Sequence, residues 1–525
     1  MTHFYTIPFL SRTFLVFLMV YSMTIDSRAQ GKYPMGLILD DEEYLELPYT
    51  TENIQVESGQ KSIPLKVDLS AYCPEVRHQG DISSCVGWAT GYGAMTIERA
   101  IQNGWTSRSR ITQSANSALF VYNQLSDDDC GAIRMPEALR FMQMRGNCLA
   151  RDFDFDVNTC HKKANENLMR KASEYRIEEF IRLFEPNAPS EDKVRNIKLV
   201  LAQNKPVVIG MKVLNNFYAI QSGDESWYPS VGDQTYAGGH AMVVVGYDDL
   251  RFHADRSDIP AEEKGAFLIM NSWGKGWGLD GYIWVRYAHF GEYCRHAYTL
   301  MLEGGDPIDF DLDTSPDTSS TLEVANAGRD LRTHSGSFGF RLYTGEWYNR
   351  KPLFREQNVQ LDGNIYELSH CKVGDQFQLY VTSEFLNGYI YVFSVDASGK
   401  AEVHFPKSED YNIKYADQNE SALLMGSGAT LVVPAEESAL TLTHEGVDHL
   451  IVLFSEKKIK PKYLDYLGEQ LINTDENVDL KLPRLLRKYM VPFSDIRYFP
   501  DHMGFEVSTR SDGRIVPIIL RVKTN

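Results

Sequence analysis

Several common classes are excluded by what this chain lacks. Lys and Arg together number 53 against 71 Asp and Glu, for a formal net charge of −18, so the basic footprint of a general nucleic-acid binder is missing. Long apolar runs are scarce: one stretch, Phe14 to Ile25, is short for a membrane span, and no second one follows. Near the cysteines there is no CxxC and no HxxxH, so the usual zinc spacings are absent and neither metal nor cofactor is expected. No internal repeat is visible, which removes solenoids and propellers.

What remains is a large, acidic, globular chain with an address at its front. Arg12 precedes the apolar run and Ser27-Arg28-Ala29 follows it, the pattern of a signal peptide over residues 1–29, cleaved after Ala29. No cysteine follows the run, so nothing suggests a lipoprotein anchor, and no stable membrane span is expected after cleavage. Export to a periplasmic, cell-surface or extracellular site would put the seven cysteines in an oxidising compartment, where an odd count leaves at least one unpaired. If Cys85 is free, the other six could pair, with Cys73, Cys130, Cys148 and Cys160 the first candidates because they share one half of one domain.

A length of 525 residues predicts two or three domains. Residues 30–66 are acidic, with Asp40-Asp41-Glu42-Glu43, and read as a surface-laid N-terminal segment. From Val67 the text is helical, with Ser114 to Leu125 and Pro136 to Arg145 at helical spacing and Gly146 as a stop. Later it turns to strands: Val207 to Val213, His240 to Tyr247, Gly265 to Met270 and Gly281 to Tyr287. Residues 304–334 are rich in Asp, Ser, Thr, Pro and Gly and read as a linker. Beyond it residues 335–525 are mainly β, with Asp375 to Thr382 and Gly388 to Asp396 read as a hairpin around Asn387-Gly388. The fold class is therefore α+β.

The chemistry gathers at three places. In HQGDISSCVGWATGYGAMTIERA, Cys85 opens a helix whose Gly87, Ala89, Gly91, Gly93 and Ala94 keep one side small. The positive end of a helix lowers a thiol pKa and favours the nucleophilic thiolate. His240 follows Ala237-Gly238-Gly239 at the start of a strand, where its ring can reach across a cleft. Asn271, after FLIM, can accept from one imidazole nitrogen and fix the tautomer, and Trp273 can shield that bond from water.

Four stretches, QGDISSCVGWA, GGHAMVVVGYD, FLIMNSWGKGWG and GYIWVRY, resemble the papain-like cysteine peptidases of the C1 family, and the likeness spans residues 67–303. It implies a helical lobe and a β-barrel lobe with the site between them. By this resemblance Cys85 is the nucleophile, His240 the base and then the acid, Asn271 the orienting group, and Gln79 an oxyanion donor beside the Cys85 N–H. Gly238, Gly239, Ala241 and Trp273 would line the substrate cleft, and the partners would be protein or peptide substrates. Such a site attacks a scissile carbonyl with a thiolate and hydrolyses the thioester with water, most simply as an endopeptidase.

The chain also departs from the family. Ile82 stands where members with a disulfide beside the nucleophile have a cysteine, so Cys130, which resembles that cysteine's usual partner, must pair differently or stay free. Val86 replaces the tryptophan that follows the nucleophile. Residues 30–66 are too short, and lack the long helical pattern, for the usual inhibitory propeptide. The C-terminal half resembles a β-rich accessory module of exported bacterial enzymes without a settled activity. Its Tyr380, Tyr389, Tyr391 and Phe393 read as core and cross-strand pairs, with a ligand platform as the alternative. Two other functions stay open: a surface binding or adhesion protein with a silent peptidase lobe, and an acyl-transferring cysteine enzyme.

Overall fold

The computed structural model describes residues 33–49, 54–55, 63–153, 157–252, 265–302, 331–348, 351–384, 388–407, 420–424, 429–435, 437–472, 477–486 and 489–525. The expected signal peptide, residues 1–29, and almost all of the expected linker, residues 304–334, lie outside these residues. Among the described residues no helix is long and apolar enough to cross a membrane.

The first domain has the expected helical and β halves. Its central helix begins at Cys85, passes through an eight-residue π-helical stretch, Trp88–Met95, and ends as Thr96–Gln102. The small residues on it mark close approaches. A Cβ at Gly87 would lie 2.2 Å from Ala118 O, and one at Gly93 would lie 2.7 Å from Val243. The helix is thereby pressed between helix Ala118–Leu125 and strand Tyr236–Asp248. The helix expected from Ser114 starts later, because Ser117 caps it by accepting from the Phe120 N–H at 3.0 Å. Helix Met135–Arg145 stops at Gly146, where φ is +80°.

The β half is a nine-stranded sheet in which Tyr236–Asp248 pairs with Val207–Leu214 on one side and Ala266–Met270 on the other. The outer strand on the far side is Ile177–Arg182, paired with Cys294–Leu302. The expected surface-laid N-terminal segment is in fact part of this sheet. Leu37 pairs parallel with Ile133 of the helical half and antiparallel with Gly239 of the β half. A strap of residues 33–49 thus crosses the groove between the halves and closes it.

The second domain is a sandwich of an eight-stranded and a seven-stranded sheet. Phe338, Phe340, Leu379, Ile390, Val392, Val452, Phe454 and Phe505 fill the space between the sheets. Tyr389, Tyr391 and Phe393 alternate with Ile390 and Val392 and face the other way, where they are buried with residues of helices Pro461–Ile472 and Val478–Leu486. They are core residues. Tyr380 is half-buried beneath the Arg341 guanidinium, 3.7 Å from its ring centre.

Two expectations need correction. Strands Gln376–Ser383 and Gly388–Val395 do not form a hairpin: they belong to different sheets, so the chain crosses the sandwich between them, and Asn387 lies outside the described residues. The cysteines form one disulfide, Cys130–Cys160, while Cys73, Cys85, Cys148, Cys294 and Cys371 are free and buried. Cys73 and Cys148 sit in the core as small apolar side chains.

Candidate active site

Cys85 begins its helix with no side-chain cap from Ser84, so the first backbone N–H groups are free to face the thiol. The N–H groups of Ala241, Gly36, Val86 and Cys85 itself act on the sulfur and favour the thiolate. Ala241 directly follows His240 on its strand, which places the base's strand against the nucleophile. Burial nevertheless outweighs those donors and pushes the thiol up to about 11. This reverses the lowered pKa expected from the helix end, because the strap removes water from the sulfur.

His240 is wholly buried and its Nε2 lies 2.8 Å from Asn271 Oδ1. That same Oδ1 accepts the Ser272 N–H at 2.8 Å, so it is an oxygen, and Nε2 must donate to it. The proton is therefore on Nε2, and Nδ1 carries the lone pair. Nδ1 has no hydrogen-bond partner among the described residues. Burial lowers the imidazole pKa to about 4, with the Asn271 bond opposing the shift. The Trp273 ring is 4.8 Å from the His240 ring and covers the His240–Asn271 pair.

Gln79 is buried on a loop tied to the Asn271 turn through Gln79 N and Ser272 O, 2.8 Å apart. Its Oε1 accepts from Ser272 Oγ at 2.7 Å, which fixes the amide so that Nε2 is the outward donor. Nε2 donates to Ile82 O at 3.2 Å and to Pro34 O, on the strap, at 3.0 Å. Ser272 was not singled out in the sequence, although its place beside Asn271 in MNSWG was the available signal.

The strap covers three of the positions assigned to substrate, Gly238, Gly239 and Trp273. Tyr33 stacks on Trp273 with ring centres 4.6 Å apart. A Cβ at Gly238 would be 2.9 Å from the Met35 Cβ, and one at Gly239 would be 2.4 Å from Leu37 O. Gly36 passes so close to the nucleophile loop that a Cβ on it would lie 1.9 Å from Ser83 O. Beyond the cleft, Asp40 caps the turn Asp41–Leu45 by accepting from Glu43 N, and the acidic run sits at the positive end of that turn. Its carboxylates dock on basic groups: Asp41 on Arg295 and His296, Glu43 on Arg140 and Arg134. Tyr44, fully buried, stacks 4.2 Å from the His296 ring. The sequence had shown the acidity of this segment but not the basic pocket that receives it.

Residues 63–301 match the model of the papain family of cysteine proteases, and residues 370–458 match a domain of unknown function, DUF4384. An uncharacterised peptidase C1-like protein of Acanthamoeba polyphaga mimivirus is 24% identical over 263 residues, 48% of this chain and 78% of that protein. A cathepsin L-like proteinase of Fasciola hepatica is 22% identical over 44% of this chain and 63% of its own length. Among solved structures, xylellain, a cysteine protease from Xylella fastidiosa, is 23% identical, covers 53% of this chain and 98% of its own, and superimposes with a TM-score of 0.40.

Proposed function

We propose that the chain is an exported peptidase that hydrolyses peptide bonds through Cys85, His240, Asn271 and Gln79, and that residues 33–38 hold its cleft shut in the form described; the match of residues 63–301 to the papain-family model supports this reading. The observation that carries the reading is the His240–Asn271 pair: the amide oxygen fixes the proton on Nε2 and leaves a lone pair on Nδ1. Once the strap lifts, Nδ1 takes the thiol proton and the thiolate attacks the scissile carbonyl. Gln79 Nε2, released from Pro34 O, and the Cys85 N–H receive the developing oxyanion. The imidazolium then protonates the leaving amine, and neutral His240 activates the water that cleaves the thioester.

Export is supported by the apolar run Phe14 to Ile25 and by Ser27-Arg28-Ala29. Cleavage after Ala29 leaves the strap on the mature chain, which N-terminal sequencing of the secreted protein would check.

The deciding experiment uses Gly36→Ala, whose added methyl cannot coexist with Ser83 O and so unseats the strap. The variant should hydrolyse unstructured protein substrates and take one E-64 epoxide adduct, mapped to Cys85. Adding Cys85→Ala should abolish both without lowering the melting temperature. No adduct and no turnover in the unstrapped chain would overturn the reading in favour of a silent lobe.

A further inference from the structure

The strap does not end at the cleft. Past the turn Asp41–Leu45 it runs along the outer strand Ile177–Arg182: Arg182 N donates to Pro48 O at 2.8 Å and Arg182 Nε to Leu47 O at 3.3 Å. The Arg182 guanidinium also lies 4.5 Å from the centre of the Tyr49 ring. On its other side Tyr49 belongs to the second domain. Tyr49 O accepts from Ser421 N at 3.1 Å, and Tyr49 forms a parallel bridge with Glu420. Further on, Ile54–Gln55 pairs antiparallel with strand Ala429–Val433, Ile54 opposite Leu431 and Gln55 opposite Thr430, as the outermost strand of the eight-stranded sheet. The two domains also touch directly at this corner: Ser421 Oγ donates to Glu179 Oε1 at 2.8 Å, and Lys458 Nζ lies 3.3 Å from the same oxygen.

A strap of this kind is an intramolecular ligand whose occupancy depends on the freedom of its tether. Joined only through the chain that leads to Lys66, residues 33–38 could leave the cleft at the cost of a few backbone bonds, the Tyr33–Trp273 stack and the buried Leu37 side chain, while buried Tyr44 and Leu47 and the ion pairs of Asp41 and Glu43 hold the stretch that follows. Fixing it at residues 49 and 54–55 removes most of that freedom and raises its effective concentration over the groove. Both fixing contacts come from residues 420–433, within the stretch that matches a domain of unknown function.

We propose that the C-terminal β domain is the clasp of the peptidase: by drawing Tyr49 and Ile54–Gln55 into its own backbone hydrogen bonding it keeps residues 33–38 in the cleft, so that the state of this sheet edge sets access to Cys85. A strand added at a sheet edge is held by main-chain bonds and can be exchanged for another extended segment, which makes the clasp reversible. The consequence for activity rests on the peptidase reading of Cys85; the clasp itself is a statement about the backbone and can be read without chemistry.

The test uses the full chain with Ile54→Pro and Gln55→Pro together, which removes whichever of the two backbone N–H groups faces strand Ala429–Val433, beside Gly36→Ala as the directly unseated reference. Two quantities are read: amide hydrogen exchange of residues 33–38, and the rate of E-64 alkylation at Cys85. The proline pair should raise both at least tenfold, towards the Gly36→Ala level. Ser421→Ala, which removes the hydroxyl that donates to Glu179 and accepts from Leu423 N, should move both in the same direction by a smaller factor. If exchange rises at Thr430 and Leu431 while residues 33–38 and Cys85 stay at the wild-type level, the clasp is wrong. The clasp is also overturned if the proline pair lowers the melting temperature and Ser421→Ala leaves both readouts unchanged. Faster exchange at 33–38 with no adduct in any variant would support the clasp and overturn the peptidase reading.

Discussion

In the peptidase domain His240 is wholly buried, gives its Nε2 proton to an amide oxygen and keeps Nδ1 without a hydrogen-bond partner. In the C-terminal domain His449 is only half-buried and faces the carboxylate of Asp479 at 3.6 Å, and that carboxylate holds Arg521, which reaches on to Glu367. Burial lowers both imidazole pKa values; around His449 the Asp479 charge opposes the shift and Arg521 reinforces it. On the proposed reading the difference separates a structural histidine from a catalytic one: His449 stands within ion-pair range of a carboxylate that is itself paired with Arg521, whereas at His240 a neutral amide fixes the tautomer and leaves the Nδ1 lone pair unused.

The largest effect should come from exchanging the roles of these two histidines in the unstrapped Gly36→Ala chain. His240→Ala should lower kcat by about 10²–10⁴-fold, the usual worth of a positioned general base, and leave the melting temperature near the parent value. His449→Phe should do the reverse, leaving kcat unchanged and destabilising the C-terminal domain, because Asp479 is only 7% exposed and would lose a polar neighbour. Equal losses of turnover from both variants would break the comparison.

A smaller effect follows from pH. In the closed form burial holds His240 at about 4, below the ordinary 6.5; when the strap lifts and water enters, the value moves back up. Between those limits the open form binds a proton that the closed form does not. The closed form is therefore favoured fully above pH 6.5 and loses ground as the pH falls towards 4, by at most about tenfold per pH unit. Asp41 adds to this at lower pH: its carboxyl is lowered by the Arg295 and His296 contacts against an opposing burial cost, so the anchor is lost as it protonates. Amide exchange of residues 33–38 in the wild-type chain, corrected for intrinsic rates, should accelerate from pH 6.5 to 4. His240→Gln should remove most of that slope; an unchanged slope would place the titration on His296, beneath Asp41, instead.

The same contrast explains what could be read from the sequence. Cys85, His240 and Asn271 stood out because each sits beside a local signal: a helix start with small residues, two glycines before an apolar run, a turn after an apolar strand; Gln79 came from the family resemblance alone, and the glycines before His240 lie within strand Tyr236–Asp248 rather than ahead of it. The two-lobed fold was implied by the family resemblance, and the change of apolar period from helical to alternating agreed with it. The strap was not legible, because its cleft end, Tyr33 to Ile38, has no period of its own and is ordered by Trp273, Gln79, Ile133 and Gly239, residues far away in the chain. The misread hairpin has a related cause. Asn-Gly between two alternating segments signals a turn, but the apolar faces of those segments are satisfied by different sheets. The Cys130–Cys160 bridge likewise depends on a fold that sequence spacing does not specify.

The finest distinction concerns Ser272. Its hydroxyl, donating to Gln79 Oε1 at 2.7 Å, joins Ile82 O, which accepts from Nε2 at 3.2 Å, in setting which end of the Gln79 amide faces the position now held by Pro34 O. Without it the amide can turn over and present an oxygen where an N–H is needed, so Ser272 acts as a positioning residue through Gln79. One hydrogen bond of this sort is worth about 0.5–1.5 kcal/mol, so Ser272→Ala in the Gly36→Ala chain should lower kcat by roughly two- to twelvefold with little change in KM. Ser272→Thr, which keeps the hydroxyl, should recover most of the loss. A purely structural role would lower the melting temperature and leave kcat alone, whereas a change carried mainly by KM would show that Gln79 contacts the substrate before the oxyanion forms.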